Sequence, residues 1–380
     1  MPEILEFGAR TLVFLAGVGI VFAVVSAAVR TFVLPRSAFD PLTSLVFRIV
    51  YLIFRTRANT RKTYEELDST MALFAPIALL ILPVVWVVLI VLGYTLMFWS
   101  AFSLSLYDSF SLAGSSLLTL GFTKSEGVLS LIFEFSAAIF GLTMVALLIA
   151  YLPTMYSAFS QREVMVTLLE TRAGSPPSAQ EMILRAYRIG GLEAIDGIWH
   201  EWEQWFAEID ESHTSLIALV FFRSPDPHRS WVTAAGTILD TAAILISAAD
   251  RETPPPARLM IRAGYVALRH VADYFAIDYN PAPQPGDPIS ISQEEFNELL
   301  DQLAARGVPL KPDRDQAWRD FSGWRVNYDR PLLALAAMTM SPYAPWVSDR
   351  SIPIAFRRTQ RAGLLGRLGR AAQRKRQVQP

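Results

Sequence analysis

Cysteine is absent from this chain of 380 residues, which excludes disulfides, thiolate metal sites and cysteine nucleophiles together. Histidine occurs only four times, at scattered positions, so no metal cluster is expected. No P-loop, nucleophile elbow or H-E-x-x-H pair occurs, and no G-x-G-x-x-G turn follows a strand pattern, so no catalytic constellation supports an enzyme. Charge is scarce as well. Asp, Glu, Lys and Arg make up 18% of the residues against 52% hydrophobic, and the mean hydropathy of +0.32 is too high for an ordinary soluble protein. A net charge of -1 supplies no global field to attract nucleic acid or an acidic substrate.

What is present is unevenly spread. Nearly all long uncharged stretches precede Arg162, and most charges follow it. Thr11 to Val29 runs for about 19 residues without a charge, close to the roughly 20 a helix needs to cross a bilayer. A cleaved signal peptide is the alternative, but Glu3 and Glu6 oppose the basic leader it requires. Met71 to Ser100 forms a second apolar run, and Gly127 to about Ser160 a third in which Glu134 is the sole ionisable group. The connection after the first run holds Arg30, Arg36, Arg48, Arg55, Arg57, Arg61 and Lys62, whereas the one between the second and third holds only Lys124. Because basic residues stay on the cytoplasmic side, this predicts an outer N-terminus, an outer Asp108–Glu126 connection and a cytoplasmic C-terminal part in a cell membrane. Within the inner connection, Leu42 to Phe54 is apolar but too short to span. It is expected to lie in the membrane interface with its arginines at the headgroups, or else to be a buried loop helix.

The connection between the second and third runs reads YDSFSLAGSSLLTLGFTKSEG. Asp108 is a candidate N-cap for a short helix through Leu118, and Gly121 permits a backbone that turns carbonyl oxygens toward an axis. Irregular backbone at membrane depth is tolerated only where it is buried in protein or lines a water-filled cavity. An apolar span, a short helix, Thr119-Leu120-Gly121-Phe122 and a further long span together resemble the pore module of the potassium channel superfamily, over roughly 71–160. The resemblance implies a homotetramer whose selectivity filter is written by Thr119, Leu120, Gly121 and Phe122, with Thr123 standing where the family has a second glycine. Lys124 stands where an acidic residue is usual, which places like charges at the outer mouth. The implied permeant species is potassium or another monovalent cation, without a bound cofactor. An apolar turn between two anchoring helices is the plain alternative.

Gly141, mid-way along the third span, resembles the hinge glycine of channel inner helices, with close helix packing as its alternative role. Pro153 is expected to kink or break the helix near its inner end, as a gate or a simple terminus. A carboxylate at membrane depth is costly, so Glu134 is expected to brace the filter from behind, against Ser115, Ser116 or backbone amides, or to act as an ion ligand.

After Arg162 the pattern is amphipathic and helical, punctuated by proline-rich turns. Helices are expected over 178–189, 192–209, 231–249, 257–277 and 292–306, with the apolar 231–249 segment buried in the protein rather than in lipid. The tail residues Arg357, Arg358, Arg361, Arg367, Arg370, Arg374, Lys375 and Arg376 point to anionic lipid of the inner leaflet or to a solvated end. The sequence therefore predicts an all-α protein: a first transmembrane helix over 1–34, a cytoplasmic or interfacial loop over 35–70 and a pore module with a re-entrant loop over 71–160. A helical cytoplasmic domain of unidentified ligand or protein partner follows over 161–356, then a basic tail over 357–380. Channel activity is the expected function, and a non-conducting channel-like scaffold that signals through its cytoplasmic domain is the alternative.

Overall fold

The computed structural model describes residues 2–32, 40–252 and 254–350. The tail arginines and Lys375 lie outside the described residues. Regular structure among the described residues is helical: α1 (Pro2–Phe32), α2 (Pro41–Ala58), α3 (Tyr64–Ala72), α4 (Phe74–Phe102), α5 (Leu106–Leu117), α6 (Val128–Ala173), α7 (Ala179–Gly190), α8 (Ile198–Ser215), α9 (Trp231–Ala248), α10 (Pro255–Tyr274), α11 (Gln293–Ala305), α12 (Arg314–Arg325) and α13 (Asp329–Thr339). Short 3₁₀ turns occur at Leu192–Ile195 and Ile217–Phe221. Four helical stretches are long and apolar enough to cross a membrane: Leu5–Phe32, Tyr64–Phe102, Val128–Ala173 and Trp231–Ala248.

The chain divides into two units. One comprises 1–177 and 204–234, the other 178–203 and 235–380.

In the first unit α1 and α4 approach closely because both present glycine. A Cβ on Gly17 would lie 2.6 Å from the Gly93 carbonyl oxygen, so these positions set the helix spacing as small residues do between membrane helices. The most apolar window of α6 is only 22% buried, and large side chains such as Phe135, Ile139, Leu142 and Ile149 are exposed around it. A helix that is apolar on nearly every face has its natural surroundings in lipid or in other apolar helices. Pro153 does not end this helix, which excludes the simple terminus among the roles expected of it. Helix α6 runs on through Arg162 to Ala173, because a proline removes one hydrogen bond and local adjustment can keep the turn. Near its centre Leu79, Tyr151, Met155, Ala218 and Leu219 form a buried cluster, and the 217–221 turn thereby packs among α4 and α6.

The second unit carries a charged centre. Arg325 of α12 is fully buried. Its Nη1 donates to both carboxylate oxygens of Asp240 at 2.6 and 2.7 Å, its Nε to Asp329 at 2.8 Å and its Nη2 to the Trp346 carbonyl at 2.7 Å. Tyr328 donates its hydroxyl to Asp240 at 2.8 Å. Two carboxylates beside it raise the Arg325 pKa against the opposing effect of burial. Ile238, Met260, Leu268, Phe296, Leu300, Phe321, Leu332 and Leu335 of this unit are also buried, with Phe296 and Phe321 stacked at 4.7 Å. The network explains α9: although apolar enough to span, its window is 94% buried inside the protein, and its one carboxylate, Asp240, is satisfied there.

Candidate functional site

Helix α5 is 12 residues long, about 18 Å at 1.5 Å per residue, and it packs against both α4 and α6. Its N-cap is Ser105 rather than Asp108. The Ser105 hydroxyl accepts the Asp108 N–H at 3.0 Å and donates to the Asp108 carboxylate at 2.6 Å, a reciprocal cap that places the acid inside the first turn. The other end of α5 reaches α6 at Gly141, within its first third. The Leu117 carbonyl oxygen occupies the space a Cβ on Gly141 would need, 1.9 Å away. Gly141 lies 13 residues beyond the first residue of α6, Val128, or about 20 Å along its axis. From Leu118 the chain climbs back to the start of α6.

Helix α5 closes with paired backbone bonds, Leu120 N–H to the Ser115 carbonyl at 2.8 Å and Thr119 N–H to the Ser116 carbonyl at 3.1 Å. This is a Schellman closure, whose left-handed position normally holds glycine. Here it holds Thr119, at φ +55°, and Gly121 follows at φ +72°. A β-branched residue in that region is strained, so the strain lies at Thr119. Thr123, which stands where the resemblance would have a second glycine, is not among the positive-φ residues. Thr123 is held instead by its own chain: its hydroxyl lies 3.0 Å from that of Ser111, and its N–H donates to the Ser115 hydroxyl at 3.2 Å. Beyond it Lys124 is exposed.

Glu134 does not meet Ser115 or Ser116. It accepts the Ser125 N–H at 3.2 Å and the Ser125 hydroxyl, which also contacts Ser130. The loop is thus tied on both limbs, to α5 through Ser111 and Ser115 and to α6 through Glu134 and Ser130. Between the ties the side chains of Leu120 and Phe122 are 60% and 67% exposed. Ser111, Ser125 and Ser130 escaped the sequence reading. The spacing of Ser111 and Ser115, one helical turn apart, was the available signal.

Pro153 lines an open cleft of about 610 Å³ with Thr31, Ser157, Gln161, Glu211 and Ser212. Nearby, Arg162 is buried rather than solvent-facing. Its guanidinium donates to the Leu219 carbonyl at 2.8 Å, the Phe222 carbonyl at 2.7 Å and Glu163 at 2.9 Å. It also lies 3.2 Å from His213 Nε2, which must accept because an arginine can only donate. Burial first, and the Arg162 charge second, push the His213 pKa well below its ordinary value, so the imidazole is neutral.

His200 and Glu201 are exposed, while the aromatic residues interleaved with them, Trp199, Trp202, Trp205 and Phe206, are buried. Among the described residues no group of three or more His, Cys, Asp or Glu side chains could hold a metal. Compared with known proteins, the chain matches no protein-family model, no curated protein sequence and no solved structure.

Proposed function

We propose that this chain is a membrane channel for monovalent cations, potassium foremost, assembled as a homotetramer, and that it transports rather than catalyses. In this reading α1, α4 and α6 cross the cell membrane, the N-terminus lies outside and α7 to α13 lie in the cytoplasm. Helix α5 and the 118–127 return form a re-entrant loop, and backbone carbonyls of Thr119, Leu120, Gly121 and Phe122 from four chains line the conduction path. Lys124 rings the outer mouth. The observation that carries the reading is the contact of Leu117 with Gly141. A helix too short to span ends against one long enough to span, about 20 Å along it from Val128, which is the depth at which irregular backbone must be buried in protein or line a cavity. The exposure of Leu120 and Phe122 fits side chains that neighbouring copies cover. Arg162, about 51 Å along α6 from Val128, falls beyond a hydrocarbon layer of about 30 Å, consistent with its cytoplasmic assignment.

The rival reading is a non-conducting scaffold on the same frame, favoured by the exposed Lys124 that four copies would bring together. Mass measurement of the intact protein in mild detergent tests the assembly: a tetramer is expected, and a monomer or dimer speaks against any shared pore, since one loop cannot close a ring of carbonyls alone.

A further inference from the structure

Several arginines among the described residues are paired. Arg162, Arg223, Arg229, Arg251, Arg325 and Arg350 each hold a carboxylate. Arg48, Arg55 and Arg57 of α2 are exposed and take part in no ion pair among the described residues. They sit on a helix with an unusual surface. Leu45, Ile49, Leu52 and Ile53 are 50 to 53% exposed, and at about 100° per residue they form one stripe. Arg48 and Arg55 flank that stripe on one edge and Arg57 on the other. The opposite face is fixed: Phe47, Tyr51 and Phe54 surround the buried ring of Phe74, the first residue of α4, at 6.3, 5.4 and 6.1 Å between ring centroids. Phe221 closes the same cluster from the 217–221 turn, 5.3 Å from Phe74. Asp40 caps the start of α2, accepting the Thr43 N–H at 2.7 Å, so the helix is seated at its end as well.

We propose that α2 is a binding site for anionic phospholipid, with Leu45, Ile49, Leu52 and Ile53 in the acyl region and Arg48, Arg55 and Arg57 on the phosphates. The apolar stripe alone would suit any partner. Its flanking by arginines without counter-charges among the described residues, on a helix packed against α1 and the first turn of α4, selects a negatively charged lipid surface: side chains of this type extend to headgroups while their stems cover apolar surface. Because the other face of α2 grips Phe74 and Phe221, lipid charge acts on the base of the second long helix. The inference needs the membrane assignment and not conduction.

The chain has no cysteine, so Ile49→Cys supplies a single labelling point for a fluorophore on the full-length protein. Reconstituted with brominated phosphatidylglycerol or brominated phosphatidylcholine, the label is expected to be quenched by both, and at low salt several-fold more effectively by the anionic lipid. Arg48→Gln, Arg55→Gln and Arg57→Gln should each lower that ratio by roughly two- to fivefold. A label that neither lipid quenches would overturn the interfacial seat. Equal quenching by the two lipids in the otherwise unaltered chain would overturn the anionic preference, and this comparison needs no arginine variant to fold.

Discussion

The Ser125 amide donates to the Glu134 carboxylate at 3.2 Å, with the Ser125 hydroxyl on the same oxygen and also against the Ser130 hydroxyl, so Glu134 and Ser130 together fix the return limb of the loop to α6. Glu134→Ala should free this limb and lower potassium flux into proteoliposomes by about tenfold or more, a loss of about 1.4 kcal/mol in positioning. Glu134→Gln keeps an acceptor and should retain most of the flux. Equal flux in all three proteins would remove Glu134 from the support of the loop.

Gly141 is a packing position in this structure. Gly141→Val should drive the Leu117 carbonyl from its seat and lower thermal stability in detergent, at about 1 to 3 kcal/mol for overpacking. Unchanged melting would mean that α5 does not rest there.

Lys124 is predicted to act through charge. Lys124→Asp should raise inward cation current severalfold at low ionic strength, and the gain should shrink as salt is added, since screening at 1 M acts within about 3 Å. A salt-independent gain would point to a steric cause.

The buried network of the second unit sets a stability test. Arg325→Met leaves Asp240 and Asp329 without their cation and should cost about 3 to 5 kcal/mol, read as a lower melting temperature. The pH dependence has a worked sign through His213. Its pKa is lowered in the folded protein, so above about pH 6.5 both folded and unfolded states are neutral there and it adds no slope. As the pH falls through 6.5 the unfolded chain takes the proton first, and stability drops by at most about 1.4 kcal/mol per pH unit. His213→Gln should flatten that part of the melting profile.

The long helices were legible because lipid-facing segments must omit charge, and α5 because its apolar turns are too few to span. Ser105 and Asp108 are spaced as N-cap and third helical residue, so either could be read as the cap until geometry chose the serine. Pro153 left open a kink, a break or a terminus, and only the terminus is excluded because α6 continues past it. Arg162 was read as the start of solvent because a charge signals exposure, yet its hydrogen bonds to the Leu219 and Phe222 carbonyls lie 57 and 60 residues away in sequence. The same distance effect hid α12 and α13, whose Arg325 is bound by Asp240 and the Trp346 carbonyl, 85 and 21 residues away in sequence. The loop ties of Ser125 and Ser130 depend on a return path that no periodicity encodes.

Planar-bilayer recording of the purified protein under potassium and sodium gradients tests the central claim most directly. Discrete currents whose reversal potential follows the cation gradient, with potassium preferred only weakly over sodium, are the predicted result. Silent bilayers from protein shown to be tetrameric, both as it stands and with Thr123→Gly and Lys124→Asp together, would contradict it.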